Sequence, residues 1–167
     1  MKRLLIIPLA GVVALFVVAY LVGMLLPKSH RASRMARFGR SPQTLFALIT
    51  GPQDWRGVQK TDLPDSDGIR MWRENDGRHS ITFAQVQCDP PRLYRTQIAD
   101  KNLPFSGSWT WEITPTSDGC TCRITEEGEI SNPIFRLISR IRGQSTTIEH
   151  YLNALGRKLN EPLVIDN

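Results

Sequence analysis

The chain has 167 residues, with 21 Lys/Arg, 16 Asp/Glu and three cysteines, and its net charge of +5 is unevenly spread. Residues 1–40 hold seven of the bases (Lys2, Arg3, Lys28, Arg31, Arg34, Arg37, Arg40) and no acid, which leaves fourteen bases against sixteen acids, net −2, in the remainder. Phosphate binding needs clustered Lys/Arg, so the body of the chain is not expected to bind nucleic acid, and three cysteines do not make a paired disulfide framework.

Residues 4–26, LLIIPLAGVVALFVVAYLVGMLL, carry no charge. As a helix they reach roughly 34 Å, past a hydrocarbon core of about 30 Å. A secretory signal has a shorter apolar part and a small-residue cleavage site. Gly23-Met24-Leu25-Leu26 offers no such site, and the first cysteine, Cys88, is too distant for a lipoprotein signal. The expectation is a permanent transmembrane anchor over 1–27 and a single domain over 28–167. Pro8 and Gly11 are tolerable in a spanning helix. More bases follow the span than precede it, which under the positive-inside bias favours a cytoplasmic domain. The series Arg31, Arg34, Arg37, Arg40 reads as a solvated juxtamembrane face or a contact for anionic headgroups.

Past the anchor, residues 31–39 suit a first strand. Ser41-Pro42 then opens a short helix through TLFALIT, with Ser as cap and Pro at the first helical position. Gly51-Pro52 ends it, and a second short helix over 53–58 is expected. From 59 to 130 strands alternate with turns at Asp67-Gly68, Asp76-Gly77, Pro90-Pro91 and Asp118-Gly119, a pattern of antiparallel hairpins. About seven strands result.

Asn132 and Pro133 start the last helix. Ile134, Ile138, Ile141, Ser145, Ile148, Leu152, Leu155 and Leu159 follow at steps of 4 and 3, so their stripe must bury against the sheet. Gly143 is a point where this helix bends or breaks. Arg136, Arg140 and Arg157 read as its solvated face. The fold class is therefore α+β, a curved antiparallel sheet wrapped on a long C-terminal helix.

Three segments, SPQTLFALITGPQDW, LPFSGSWTWEI and GCTCRITEEGEISNPIFRLISRIRGQSTTIEHYLNALGRKL, make the chain resemble the START/Bet v 1-like helix-grip superfamily, specifically its bacterial polyketide cyclase/dehydrase-like members. The resemblance covers most of residues 30–160. It implies a deep, largely apolar cavity between sheet and helix, filled in relatives by lipids, steroids, polyketides or other hydrophobic molecules. For this chain it implies a protein of the bacterial inner membrane that binds a hydrophobic small molecule or lipid. The alternative is a cyclase or dehydratase-type enzyme.

No G-x-S-x-G, G-x-x-x-x-G-K or G-x-G-x-x-G occurs, so no nucleophile elbow, phosphate loop or dinucleotide cofactor is expected. A metal is not expected either. Cys120 and Cys122 form a C-x-C pair, but His30, His79 and His150 are scattered and no C-x-x-C or H-E-x-x-H accompanies it. Small buried cysteines are the simpler reading.

Strand phase supplies the candidate site, because side chains two apart share a face. In CTCRITEEGEI the apolar or small set Cys120, Cys122, Ile124, Gly128, Ile130 includes one acid, Glu126. In RLYRTQIAD the set Tyr94, Thr96, Ile98 ends in Asp100, and Trp109, Trp111 and Ile113 share a face in the strand between. If the three strands are neighbours, Asp100 and Glu126 lie towards one end, with Trp109 beside them. The candidate ligand-binding residues are Tyr94, Asp100, Trp109, Trp111 and Glu126, and the candidate acid/base pair is Glu126 with Asp100. The alternatives are a bulge that turns Glu126 outward, or an arginine such as Arg73 that satisfies it.

Overall fold

A computed structural model describes the backbone of residues 2–166 and the side chains of residues 11–166. Helix α1 (Lys2–Leu25) leads into strand β1 (Ser29–Phe38), helix α2 (Pro42–Thr50) and a 3-10 turn (Asp54–Arg56). Strands β2 (Gln59–Ser66), β3 (Ile69–Asn75), β4 (Ser80–Asp89), β5 (Leu93–Ile98), β6 (Phe105–Thr116) and β7 (Gly119–Ile130) follow in succession. Helices α3 (Pro133–Arg142) and α4 (Thr146–Leu159) and a short strand β8 (Ile165–Asp166) complete the chain.

All strands join one antiparallel sheet in the order β2-β3-β4-β5-β6-β7-β1-β8. The meander from β2 to β7 follows from tight turns: Asp67, Gly68, Gly77 and Gly119 all take positive φ, as short hairpin connections demand. Among the described residues the strands number eight, against the expected seven or so. β8 is two residues long and pairs with Met35 and Ala36 at the outer edge of β1, too short to show any alternation in sequence.

The Ser41 cap is present, its hydroxyl accepting from the Thr44 amide at 3.2 Å. So is the Asn132 cap, whose side chain accepts from Ile134 and Phe135 amides. The single long C-terminal helix is instead two. Gly143 takes φ +92 and ψ 131, outside any helical conformation, and so separates α3 from α4. The expected apolar stripe is split with it. Ile148, Leu152 and Leu155 of α4 are at most 1 % exposed and pack with Phe38, Cys122 and Ile124 of the sheet and Leu45 of α2. Ile138 and Ile141 of α3 face outward. Burying the α4 triplet removes apolar area worth about 1.5–3 kcal/mol per side chain.

Arg136, expected on a solvated face, is buried. It donates to the carbonyls of Ile130 (2.9 Å), Ser131 (2.8 Å), Gly23 (3.2 Å) and Leu26 (3.2 Å). Two of these are carbonyls at the end of α1, which a helix leaves without partners. The guanidinium therefore ties α1 to the start of α3. Among the described residues no helix is long and apolar enough to cross a membrane. The described side chains of α1 begin at Gly11, and a stretch from there to Leu25 reaches only roughly 22 Å. Residues 4–10 of the expected anchor lie outside the described side chains.

Candidate functional site

A cavity of about 490 Å³ lies between the inner face of the sheet and α4, within the size range of small-molecule sites. Its wall is a run of aromatic rings produced by strand alternation and register. Trp72 stands opposite Phe83 across β3 and β4, and Tyr94 opposite Trp111 across β5 and β6. Ring centroids are 5.9 Å apart for Trp72–Phe83, 5.8 Å for Phe83–Trp109, 5.6 Å for Tyr94–Trp111 and 5.7 Å for Trp111–Tyr151. These spacings are those of favourable offset and edge-on pairs. Exposed Asp76 and His79 of the β3–β4 turn, exposed Gly143 between α3 and α4, and exposed Thr147 in the first turn of α4 also line the cavity, which places its mouth there.

Glu126 is 8 % exposed and lines this cavity. β7 pairs in unbroken register with both β6 and β1, so Glu126 has Trp109 on one side and Ala32 on the other, and no bulge turns it outward. The Trp109 indole donates to Oε2 at 3.0 Å, and His30 Nε2 lies 3.2 Å from Oε1. Arg73 is exposed and does not serve it. The seat for these rings is cut by two glycines that face each other, Gly107 and Gly128. A Cβ on Gly128 would stand 2.4 Å from His30 Cε1, and one on Gly107 would stand 3.2 Å from the Trp109 ring. The second nitrogen of His30, Nδ1, is buried with no hydrogen-bond partner among the described residues.

Two residues of the wall carry further polar atoms in that condition, the Tyr94 hydroxyl and the Trp111 Nε1. Tyr94 is 3 % exposed and Trp111 8 %. Burial holds the Tyr94 phenol well above its ordinary pKa, so it stays a neutral O–H. An unpaired buried donor costs about 1–3 kcal/mol, and a ligand oxygen would relieve that cost.

A basic and acidic group occupies another part of the lining. Arg56 bonds to Glu74, donates to Gln53 Oε1 at 2.8 Å and lies over the Tyr151 ring at 5.4 Å. Trp72 Nε1 donates to Glu74 at 3.1 Å. Lys60 donates to the Thr50 carbonyl at 3.0 Å, with its ammonium 4.6 Å from the Trp72 centroid. Burial, and next the charge of Arg70, lower the Lys60 pKa from its ordinary value.

Four of the five residues singled out from sequence, Tyr94, Trp109, Trp111 and Glu126, thus line one cavity. Asp100 does not join them. Its carboxylate accepts the Thr82 amide at 2.7 Å, beside the bond from the Ala99 amide to the Thr82 carbonyl, and so fixes the junction of β4 and β5. The partner of Glu126 is His30. Its signal was in the sequence, since His30, Ala32, Arg34 and Ala36 alternate on β1, but the strand starts at Ser29, inside what reads as a basic flank. Arg56, Lys60 and Glu74 gave only the weak hint that Trp72 and Glu74 share a face.

Cys120 and Cys122 are fully buried and Cys88 is exposed. Burial pushes the Cys120 thiol up to about 11 and Cys122 further in the same direction. Among the described residues no three His, Cys, Asp or Glu side chains gather into a set that could hold a metal ion.

Among curated proteins no match is found. Among solved structures, the di-domain ARO/CYC StfQ from the steffimycin biosynthetic pathway superposes with a TM-score of 0.59 at 14 % identity, over 77 % of this chain and 48 % of that one. The chain thus spans about half the length of that protein. Norcoclaurine synthase from Thalictrum flavum gives 0.57 at 12 % identity, over 80 % of this chain and 88 % of its own. A protein from Mesorhizobium loti gives 0.54 at 15 % identity, over 77 % and 97 %. At such identities the likeness shows the fold alone, an α+β helix-grip arrangement. The family model described as polyketide cyclase / dehydrase and lipid transport matches residues 29–159, from the first residue of β1 to the last of α4. By that match the chain belongs to the polyketide cyclase / dehydrase and lipid transport family.

Proposed function

We propose that this is a membrane-anchored binding protein, which holds a hydrophobic small molecule or lipid bearing at least one oxygen in the cavity between sheet and α4. The observation that carries the reading is the pair of buried, unpartnered donors, Tyr94 Oη and Trp111 Nε1, within the aromatic part of the wall. Apolar rings supply the affinity, and a few placed donors fix orientation. The anchor rests on the uncharged run of residues 4–26 and on the exposure of the apolar side chains from Val12 to Leu25. The excess of bases after the run supports a cytoplasmic domain in a bacterial inner membrane. The test is mass spectrometry of whatever copurifies with the full-length protein in detergent. A stoichiometric hydrophobic molecule that Trp111→Phe fails to retain supports the reading, and a wild-type protein that carries and rebinds none overturns it.

A second reading has its own observation, the 3.2 Å contact between His30 and Glu126. The pair suits proton transfer in a dehydration: a proton leaves a carbon beside a carbonyl, a hydroxyl departs from the neighbouring carbon and is released as water, and a C=C bond forms. Turnover of the copurified molecule that His30→Gln abolishes would make this an enzyme of the cyclase or dehydratase type.

A further inference from the structure

The exposed side of α3 points to a use that the cavity does not explain. Phe135, Ile138 and Ile141 are 47 %, 39 % and 77 % exposed and recur in steps of three, so they lie along one side of the helix. Isolated exposed apolar residues are ordinary, but contiguous apolar patches mark contact surfaces. This side is continuous with another apolar surface. α1 meets α3 at Gly23, which is buried and where a Cβ would lie 2.1 Å from the Pro133 carbonyl oxygen. A residue without a side chain lets two backbones approach closely there. Arg136 then locks the contact through the carbonyls of Gly23 and Leu26. The remaining described apolar side chains of α1, among them Leu21, Met24 and Leu25, are exposed.

We infer that α3 lies in the headgroup boundary of the bilayer that holds α1, with Phe135, Ile138 and Ile141 against acyl chains and Lys28 and Arg140 against anionic headgroups. This inference rests on the anchor proposed above. An amphipathic helix with basic residues on its polar side takes that position. The placement also has a consequence for the cavity. Ser139 and Gln144, at the end of α3 and just past it, line the cavity, and both also line a small crevice that reaches Leu26, Pro27 and Lys28 at the end of α1. A molecule dissolved in the bilayer would therefore meet the cavity beside α3 without crossing water.

The experiment uses the full-length chain with Cys88→Ser, leaving only the buried Cys120 and Cys122, in nanodiscs of phosphatidylcholine with phosphatidylglycerol. Single spin labels are placed at Leu15→Cys, Phe135→Cys, Ile141→Cys and Asp118→Cys. Asp118 precedes β7, whose other end bonds to Lys28 just past α1, so its label stands roughly 36 Å from that end. Relaxation by oxygen, which concentrates in lipid, is compared with relaxation by a soluble nickel chelate. The expected result is oxygen exceeding nickel at Leu15, Phe135 and Ile141, and the reverse at Asp118. Leu15 in lipid with Phe135 and Ile141 in water would overturn this inference and leave the anchor standing. Leu15 in water would remove the anchor and the inference together. Spin–spin coupling between copies at Ile141, with nickel exclusion at that site, would show that a second copy covers the face, and would also overturn it.

Discussion

Gly128 stands directly opposite His30 across the β7–β1 ladder, and the imidazole occupies the space where any larger residue at 128 would carry its Cβ. A glycine in mid-strand gives up packing and adds backbone entropy to the unfolded chain. Here that loss makes room for the imidazole that reaches Glu126.

Gly128→Ala is therefore expected to dislodge His30 and lower stability by about 1–3 kcal/mol, the range for overpacked sites. The imidazole is a side chain and can swing away, so the chain should still fold. The checks are thermal melting and the histidine ring signals in NMR, where the contact with Glu126 should vanish.

How far the sequence disclosed this arrangement depends on the range of each signal. Period-two alternation in β5, β6 and β7 placed Tyr94, Trp109, Trp111 and Glu126 on one face, because alternation is local and these strands are long. Asp100 is in phase with Tyr94 but lies past the last residue of β5, where strand phase no longer governs side-chain direction. His30 meets Glu126 across 96 residues, a pairing set by β1 closing against β7, which no local pattern carries. The stripe on the last helix misled for a related reason. Its spacing continues through Gly143, but the positive φ of that glycine redirects the chain, so Ile138 and Ile141 end outside the core that Ile148 and Leu152 enter.

Tyr94→Phe separates stability from binding. The hydroxyl is buried and unpartnered, so its removal should leave stability unchanged or raise it by about 1 kcal/mol. Affinity for the copurified molecule should fall roughly tenfold, the equivalent of one hydrogen bond near 1.4 kcal/mol. Differential scanning fluorimetry and a binding titration on the same preparation test both halves. A loss of stability with unchanged affinity would assign the hydroxyl to the scaffold.

The thiols should react in two classes. Cys88 is exposed, whereas burial keeps Cys120 and Cys122 protonated at neutral pH, and the thiolate is the reactive form. A thiol reagent at pH 8 should modify one cysteine in the native protein and three after denaturation. Rapid native modification of Cys122 would contradict the packing of β7 against α4.

The link between β1 and α4 should be pH-dependent. Glu149 accepts the Ser145 hydroxyl at 2.7 Å and Arg34 Nε at 2.9 Å, and these bonds, Ser145 first, hold its pKa below the ordinary 4.5. A carboxylate with a depressed folded pKa contributes stability above its unfolded pKa and loses it as pH falls through the folded value. The wild type should therefore exceed Glu149→Gln in stability at pH 6–8 and converge with it below about pH 4. The carboxylate is partly exposed, so the difference at neutral pH should be at most about 1 kcal/mol. Melting curves across that range decide it.

The decisive residue is Glu126. A buried carboxylate must be paired, hydrogen-bonded or protonated, and this one is held by Trp109 Nε1 at 3.0 Å and His30 at 3.2 Å, on a wall that a ligand would touch. If its task is structural, Glu126→Gln disturbs the contact that seats His30, and stability should drop by about 1–3 kcal/mol, the cost of leaving a buried polar group without its partner. If its task is to meet a ligand, Glu126→Gln keeps the shape and still offers an oxygen to the Trp109 indole. Stability should then shift by about 1 kcal/mol or less, the worth of one exchanged hydrogen bond, while retention of the copurified molecule or its turnover falls at least tenfold. Asp100→Ala supplies the contrast, because that acid holds the Thr82 amide and does not line the cavity, so its removal should lower stability and leave binding unchanged. Both variants are to be melted and assayed side by side. A large stability loss in Glu126→Gln with ligand retention intact would remove Glu126 from the site and leave the aromatic wall, with Tyr94 and Trp111, as the binding surface.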